Sequence, residues 1–251
     1  MEVYERCQAW KDVGDDVEFS HTIIILRKGR EFFYALTNYR YRMSELIDPD
    51  DLEVHPIPAA DIWPLFSDDL TAAPDPLPAN SHVKLQSLLH YVEPDSVVPL
   101  ADLLLNEARV CEILRNNPHP NIAQYLGCTL QDNRITGLCM VKYETTLADR
   151  LKDPDRSFDR NGCIKGIKQG IEHLHSLRLI HNDLNPHNIM FKADDTPVII
   201  DFDSCAREGD KLTKGGTWGW TDENIKFASP MNDYYGLKKI EEAMDCLEKN
   251  I

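Results

Sequence analysis

One stretch constrains the rest of this chain: His181-Asn182-Asp183-Leu184-Asn185-Pro186-His187-Asn188, followed thirteen residues after Asn188 by Asp201-Phe202-Asp203. An apolar run at 188–191, a turn at Asp194-Asp195 and a second apolar run, Val198-Ile199-Ile200, lie between them and read as a β-hairpin. Asn188 then starts one strand and Asp201 follows the end of the other. Asp183 sits just upstream, in a loop that Pro186 stiffens. Three oxygen-bearing side chains therefore converge at one end of the hairpin. An Asn–Asp pair of hard oxygens suits Mg²⁺, which takes few protein ligands and leaves positions for phosphate and water. The remaining Asp is free to orient a hydroxyl and accept its proton.

The surrounding pattern is α+β. Residues 18–37 form two β-rich runs around Lys28-Gly29-Arg30, a hairpin with Gly29 at its tip. Residues 48–80 are rich in Pro and Asp and read as an extended, surface-wrapped insertion that Trp63, Leu65 and Phe66 pin to the body. Val83-Lys84-Leu85 is a short strand candidate. The spacing of Leu103, Val110, Ile113 and Leu114 predicts an amphipathic helix over 100–115, which Asn116-Asn117-Pro118 ends. Strand-like runs follow at Ile122–Leu126 and Gly137–Tyr143. A second long helix is expected over 158–177 and a last one over roughly 233–248. The first half is strand-rich and the second helix-dominated, which implies two lobes joined near Tyr143–Thr146: residues 1–143, with the 48–80 insertion, and 144–251.

With 42 acidic and 27 basic side chains, the net charge is −15. That balance argues against a nucleic acid partner and an anionic membrane surface, both of which need basic contacts. It favours basic peptides or proteins as partners. A nucleotide stays compatible, because a local lysine and a metal ion override the global field. No apolar run approaches the ~20 residues of a membrane span, and the N-terminus lacks a signal-peptide layout. Seven scattered cysteines without a CxxC pair read as free thiols, which places the chain in the cytoplasm or nucleus.

The segment His181–Asn188 followed by Asp201-Phe202-Asp203 resembles the catalytic loop and metal motif of protein kinases. Further stretches resemble that family in its own order. Pro118-His119-Pro120-Asn121-Ile122 is similar to the turn after its regulatory helix, and Tyr125-Leu126-Gly127 to the strand beyond. His173-Leu174-His175-Ser176 is similar to the approach to the catalytic loop. Gly216-Thr217-Trp218-Gly219-Trp220 is similar to part of the activation segment, and Asn232-Asp233-Tyr234-Tyr235-Gly236 to the start of a later helix. The matches span roughly residues 84–240 and are strong as an ordered set. They suggest the compact kinase-like proteins of fungi.

The resemblance implies a bilobal kinase-like fold with a trimmed helical C-lobe, and an ATP- and Mg²⁺-dependent enzyme that phosphorylates Ser/Thr hydroxyls of a protein. Asp183 takes the place of the catalytic aspartate, and Asn188 and Asp201 those of the metal ligands. Lys84 is the lysine that positions phosphates, and Glu107 its partner, with Glu112 as the alternative. Val141 to Tyr143 correspond to the hinge beside adenine, and Met190 to the floor beneath it. His181 would pack rather than act as a base.

Several positions depart from the family pattern. No glycine-rich phosphate loop exists; the glycines before Lys84 are Gly14 and Gly29. The Lys28-Gly29-Arg30 hairpin either covers the nucleotide instead or is only an outer hairpin. Asn182 replaces the arginine that pairs with a phosphorylated activation segment, so activation by phosphorylation there is not expected. Asn185 replaces the lysine usual in Ser/Thr kinases. Asp203 replaces a glycine and either caps a turn or approaches the metal region. The motif that normally closes the activation segment is missing, and a C-lobe trimmed as in RIO-type kinases fits that loss. Two other readings follow: a pseudokinase serving as a binding or scaffold module, and a small-molecule phosphotransferase of the aminoglycoside or choline kinase type.

Overall fold

The run Thr22-Ile23-Ile24-Ile25-Leu26 is the most buried strand segment of the N-terminal region, with every one of these side chains at 2% exposure or less. Successive strand residues point to opposite faces, so both faces of this strand are covered. A computed structural model describes residues 1–14, 16–42, 44–92, 99–153, 158–222 and 224–248. The chain forms two compact units, each assembled from separated segments.

The first unit comprises Met1–Phe66, Leu85–Leu105 and Gln131–Thr136. Its sheet is antiparallel, in the order β1 (Glu2–Val13), β2 (Asp16–Lys28), β3 (Glu31–Thr37), β4 (His55–Ile57). The expected hairpin is β2–β3: Lys28 pairs with Glu31, and Gly29 turns the chain at φ +62°, a conformation that suits glycine. Strand β1 was not expected from the sequence, because its polar residues dilute the alternation. It follows β2 along almost its whole length.

The 48–80 segment is less peripheral than its composition suggests. Ile57 enters the sheet opposite Phe32, and Ile62, on the helical turn α1 (Ala59–Ile62), is 1% exposed. Trp63 meets Phe32 edge-on at 5.8 Å, whereas the Leu65 side chain stays 59% exposed and only its backbone holds on, bridging Arg134. Core packing thus selects Ile57 and Ile62 over Leu65. These two join Ile23, Ile25, Phe32, Leu88 and Leu100 in one core.

The second unit comprises Ser67–Lys84, Asn106–Leu130 and the chain from Gly137 onward. A three-stranded sheet runs β5 (Ser81–Lys84), β7 (Arg134–Val141), β6 (Tyr125–Gln131). β6 begins later than the sequence suggests, because Ile122 instead bridges Ile199. Thr71 and Ala73 bond the Cys128 backbone, and a Cβ on Gly127 (φ +134°) would lie 2.5 Å from Ala73 N. Only glycine fits that approach.

Helix α2 (Leu100–Asn116) buries Leu104, Glu107, Ala108, Cys111 and Leu114 at helical spacing. A capping box at Thr146 starts α3 (Leu147–Lys152). In α4 (Arg160–Ser176), Asp159 caps the N-terminus, and Ile167, Ile171 and Leu174 are buried. Four short strands frame the loop of interest: β8 (Leu179–Ile180) pairs with β11 (Ala206–Arg207), and β9 (Ile189–Phe191) with β10 (Pro197–Ile199). The last helix is α5 (Pro230–Glu248). Among the described residues no helix is long and apolar enough to cross a membrane. Cys7, Cys111, Cys128, Cys139, Cys163 and Cys205 are free thiols; the Cys246 side chain lies outside the described residues.

Candidate active site

All three of Lys84, Glu107 and Asp201 belong to the second unit and meet directly. Lys84 Nζ donates to Glu107 Oε1 and to Asp201 Oδ1, each at 2.7 Å. β5 supplies the lysine and the buried face of α2 supplies the glutamate, which is 4% exposed. Burial works against the Lys84 charge, but Glu107 and Asp201 outweigh it and hold the ammonium well above its ordinary pKa. The Glu107 carboxyl is raised by its own burial, against the pull of Lys84. Glu107 Oε1 also accepts from the Phe202 N–H at 3.2 Å, so one carboxylate serves both the lysine and the backbone next to Asp201. Glu112, the alternative partner, is engaged elsewhere: it accepts from Thr71 N–H at 2.6 Å and from Thr71 Oγ1 at 3.0 Å.

Asp183 and Asn188 form a second group. Asn188 Nδ2 donates to the Asp183 carbonyl at 2.9 Å and to its Oδ2 at 3.1 Å. Asp183 Oδ1 accepts from the Thr217 N–H at 2.7 Å and from Asn185 Nδ2 at 3.2 Å. The Ile200 N–H donates to the Asn188 carbonyl at 3.0 Å, which sets Asn188 beside the chain that carries Asp201. Asp201 itself has φ +63°, a conformation uncommon outside glycine and best tolerated by Asn and Asp.

The loop is anchored from beneath. Asp233, fully buried on α5, accepts from the His181 N–H at 3.0 Å and the Asn182 N–H at 2.8 Å. His175 Nε2 lies 2.8 Å from the same carboxylate. His181 is buried: the Asp183 N–H donates to its Nδ1 at 3.3 Å, and its Nε2 reaches the Ile200 carbonyl at 2.9 Å. Both ring nitrogens are therefore structural. Asn182 is 3% exposed at φ +65°. It donates to the Ile180 and Ser204 carbonyls at 3.0 Å each and accepts from Asn232 Nδ2 at 2.9 Å.

Asp203 bonds the Lys214 ammonium and accepts from Ser204 Oγ. Burial would raise its carboxyl, but Lys84 and Lys214 outweigh that and keep it below the ordinary carboxylate range. At the suggested hinge, the Val141 and Lys142 N–H groups are engaged by the Gln124 and Asn80 carbonyls. The Tyr143 hydroxyl accepts from the Gln124 N–H at 3.0 Å. Met190, in β9, pairs with Val198 and bridges Thr146.

A family model described as the protein kinase domain matches residues 94–221, just over half of the chain. The chain belongs to the protein kinase family. It is similar to the serine/threonine-protein kinase/endoribonuclease IRE1 of Hypocrea jecorina, 29% identical over 133 residues, covering 45% of this chain and 11% of that protein. It is similar to the serine/threonine-protein kinase TAO3 of Xenopus laevis, 26% identical over 129 residues, 50% of this chain and 14% of that one. It is also similar to the sensor for unfolded proteins in the ER ire1 of Schizosaccharomyces pombe, 24% identical over 134 residues, 44% of this chain and 12% of the other. This kinase-family chain therefore covers only 11–14% of the length of these relatives.

Sequence reasoning did not anticipate three contacts of this kinase-family site. They are the Thr217 N–H on Asp183, the Lys214 bond to Asp203, and the Asn182–Asn232 pair. The first and third join segments 34 and 50 residues apart, and the Lys214–Asp203 bond spans 11 residues. The stretch Asn232-Asp233 was the one available signal for the third.

Proposed function

We propose that the chain is an ATP- and Mg²⁺-dependent protein kinase that transfers a phosphoryl group to a Ser/Thr hydroxyl. The observation that carries this reading is the assembled Lys84–Glu107–Asp201 group, with both ion-pair bonds at 2.7 Å. A buried ion-pair group adds little net stability over an apolar one of similar volume, so the presence of this one favours a functional role for the lysine. Lys84, oriented by Glu107, binds the nucleotide phosphates.

The donor set fits Mg²⁺. Asn188 has its amide nitrogen engaged by Asp183, so its Oδ1 is the atom available to a cation. Asp201 offers Oδ2 while Oδ1 holds Lys84. Among the described residues no cluster of three or more His, Cys, Asp or Glu side chains could hold a metal. Asn188 and Asp201 would thus share the ion with phosphate and water oxygens. When bound, the ion neutralises phosphate charge.

Asp183 orients the acceptor hydroxyl and takes its proton on a carboxylate oxygen. The Thr217 N–H and Asn188 hold that carboxylate in one rotamer. Because the Val141 and Lys142 N–H groups are engaged within the fold, contact with the adenine edge falls to the other backbone groups of 141–143, with Met190 below it. The acceptor is a protein, and the acidic balance favours a basic one.

A pseudokinase reading is favoured by one observation: Asn182 and Asn185, which replace charged family residues, are engaged in internal hydrogen bonds. Thermal unfolding with ATP, with and without Mg²⁺, and phosphate transfer to a histone mixture separate the two. The kinase reading expects a Mg²⁺-dependent rise in Tm that Asp201→Asn removes; a ligand at 100 times its Kd stabilises by ~2.7 kcal/mol. It also expects Asp183→Asn to cut transfer by roughly 10²–10⁴-fold with binding retained. Binding without transfer in the wild type would leave a nucleotide-binding scaffold.

A further inference from the structure

The core of the first unit does not close at the tip of the β2–β3 hairpin. A cavity of about 340 Å³ opens there, within the size range of small-molecule sites. The residues that form it lie outside the active-site group and, apart from two short strand segments, outside the region matched by the kinase family.

Its walls combine two chemistries. Tyr4, Phe32 and Trp63 make an aromatic corner, with Tyr4 and Phe32 edge-on at 5.0 Å and Phe32 and Trp63 at 5.8 Å. The bulge in β1 between Val3 and Glu5 supplies Tyr4: the extra residue re-aims its ring onto the core. Two arginines of the hairpin, Arg27 and Arg30, also line the cavity. Each already has a partner at the surface: Arg27 pairs with Glu2 and Arg30 with Asp132, both at 3.8 Å and solvent-exposed, and Arg27 Nε donates to the Gly29 carbonyl at 3.0 Å. Such pairs are weak and easily displaced.

An independent observation comes from Gln86 in the same wall. Its amide donates to the Leu100 carbonyl at 2.9 Å, and its Oε1 is the one buried side-chain polar atom without a hydrogen-bond partner among the described residues. A buried acceptor left without a donor costs stability unless a bound group supplies one.

We propose that this cavity binds a small aromatic anion: a planar ring against Tyr4, Phe32 and Trp63, and a carboxylate, sulfonate or phosphate on Arg27 and Arg30. In a chain of net charge −15, two weakly paired arginines beside an aromatic corner are an unusual provision for an anion.

The probe is anilinonaphthalene sulfonate, which carries both a ring system and an anion, titrated into the full chain and followed by its fluorescence. One saturable site is expected. Arg27→Gln with Arg30→Gln should weaken it by on the order of tenfold or more. Leu85→Trp, at a cavity position 54% exposed and so tolerant of change, should block it. Unchanged Tm and circular dichroism in both variants confirm that they fold. MgATP should not compete. Absence of a saturable site, equal affinity in the arginine variant or in Leu85→Trp, or displacement by MgATP would each overturn the proposal.

Discussion

The loop 181–188 and the segment 204–228 lie next to each other in the second unit, yet they are built on opposite principles. In the loop, His181, Asn182, Leu184, Asn185, Pro186 and Asn188 are all buried, and the backbone hangs from a fully buried carboxylate, Asp233. In the segment, Trp218 is 82% and Phe227 58% exposed. The segment's two ends are tied by the β8–β11 pairing and by backbone bonds between 209–212 and 226–228, whereas its outer part is held by Lys214 to Asp203 and by Thr217 to Asp183 and Asn185. The difference teaches where this fold invests rigidity. Groups that act on reacting atoms need sub-ångström placement, and buried, fully satisfied polar networks provide it. Under the proposed function, the exposed segment is the surface left for a protein acceptor.

That contrast can be broken by substitutions on each side of it. Asp233→Ala should have the largest effect, about 3–5 kcal/mol lost in urea unfolding, because it strands buried N–H donors at His181 and Asn182. A loss below about 1 kcal/mol would mean that the loop is held by something else. Asn182→Ala removes bonds to Ile180, Ser204 and Asn232 and puts alanine at positive φ, so about 1–3 kcal/mol is expected in the same measurement.

Asp203→Asn tests a tie of the exposed segment. Its partner Lys214 is partly solvated, so the cost should stay near 0.5–1 kcal/mol. The sign follows from the depressed Asp203 pKa: its stabilisation is present above the ordinary carboxylate value and is lost as pH falls through the lower folded value. The gap between wild type and Asp203→Asn should therefore begin to narrow below about pH 4 in acid-unfolding curves and close only below the depressed folded value. A gap that persists in acid would show that packing, not charge, holds the tie. Trp218→Ala should come last, within about 0.5 kcal/mol of wild type in Tm-derived stability. A larger loss would mean that the segment is structurally integrated after all.

Much of this site was legible because its parts are local in sequence. Asp183 and Asn188 are five residues apart on one loop, and Asp201 follows β10, which pairs with β9 directly after Asn188. Lys84 stood out as the lone lysine between Lys28 and Lys142, and Glu107 faced inward on a strongly periodic helix. Sequence spacing could not separate Glu107 from Glu112; a pairing across the unit did, by engaging Glu112 with Thr71. The 48–80 segment was misjudged in part, since composition reports average polarity and not which two of its apolar residues reach a core. Strand β1 escaped notice because a long edge strand can carry polar residues on its open face.

Local covalent order by itself determined the hairpin at Gly29, the three long helices and the loop-and-hairpin that brings Asp183, Asn188 and Asp201 to one end. Periodicity and turn chemistry act over a few residues, so a linear reading reaches them. Only the tertiary structure decided that Lys84 bonds both Glu107 and Asp201, that Asp233 anchors a loop some fifty residues away, and that Tyr4, Phe32 and Trp63 line one cavity with Arg27 and Arg30. Those outcomes depend on which distant groups exclude water together, and hydrogen bonds and ion pairs gain strength only where that exclusion happens.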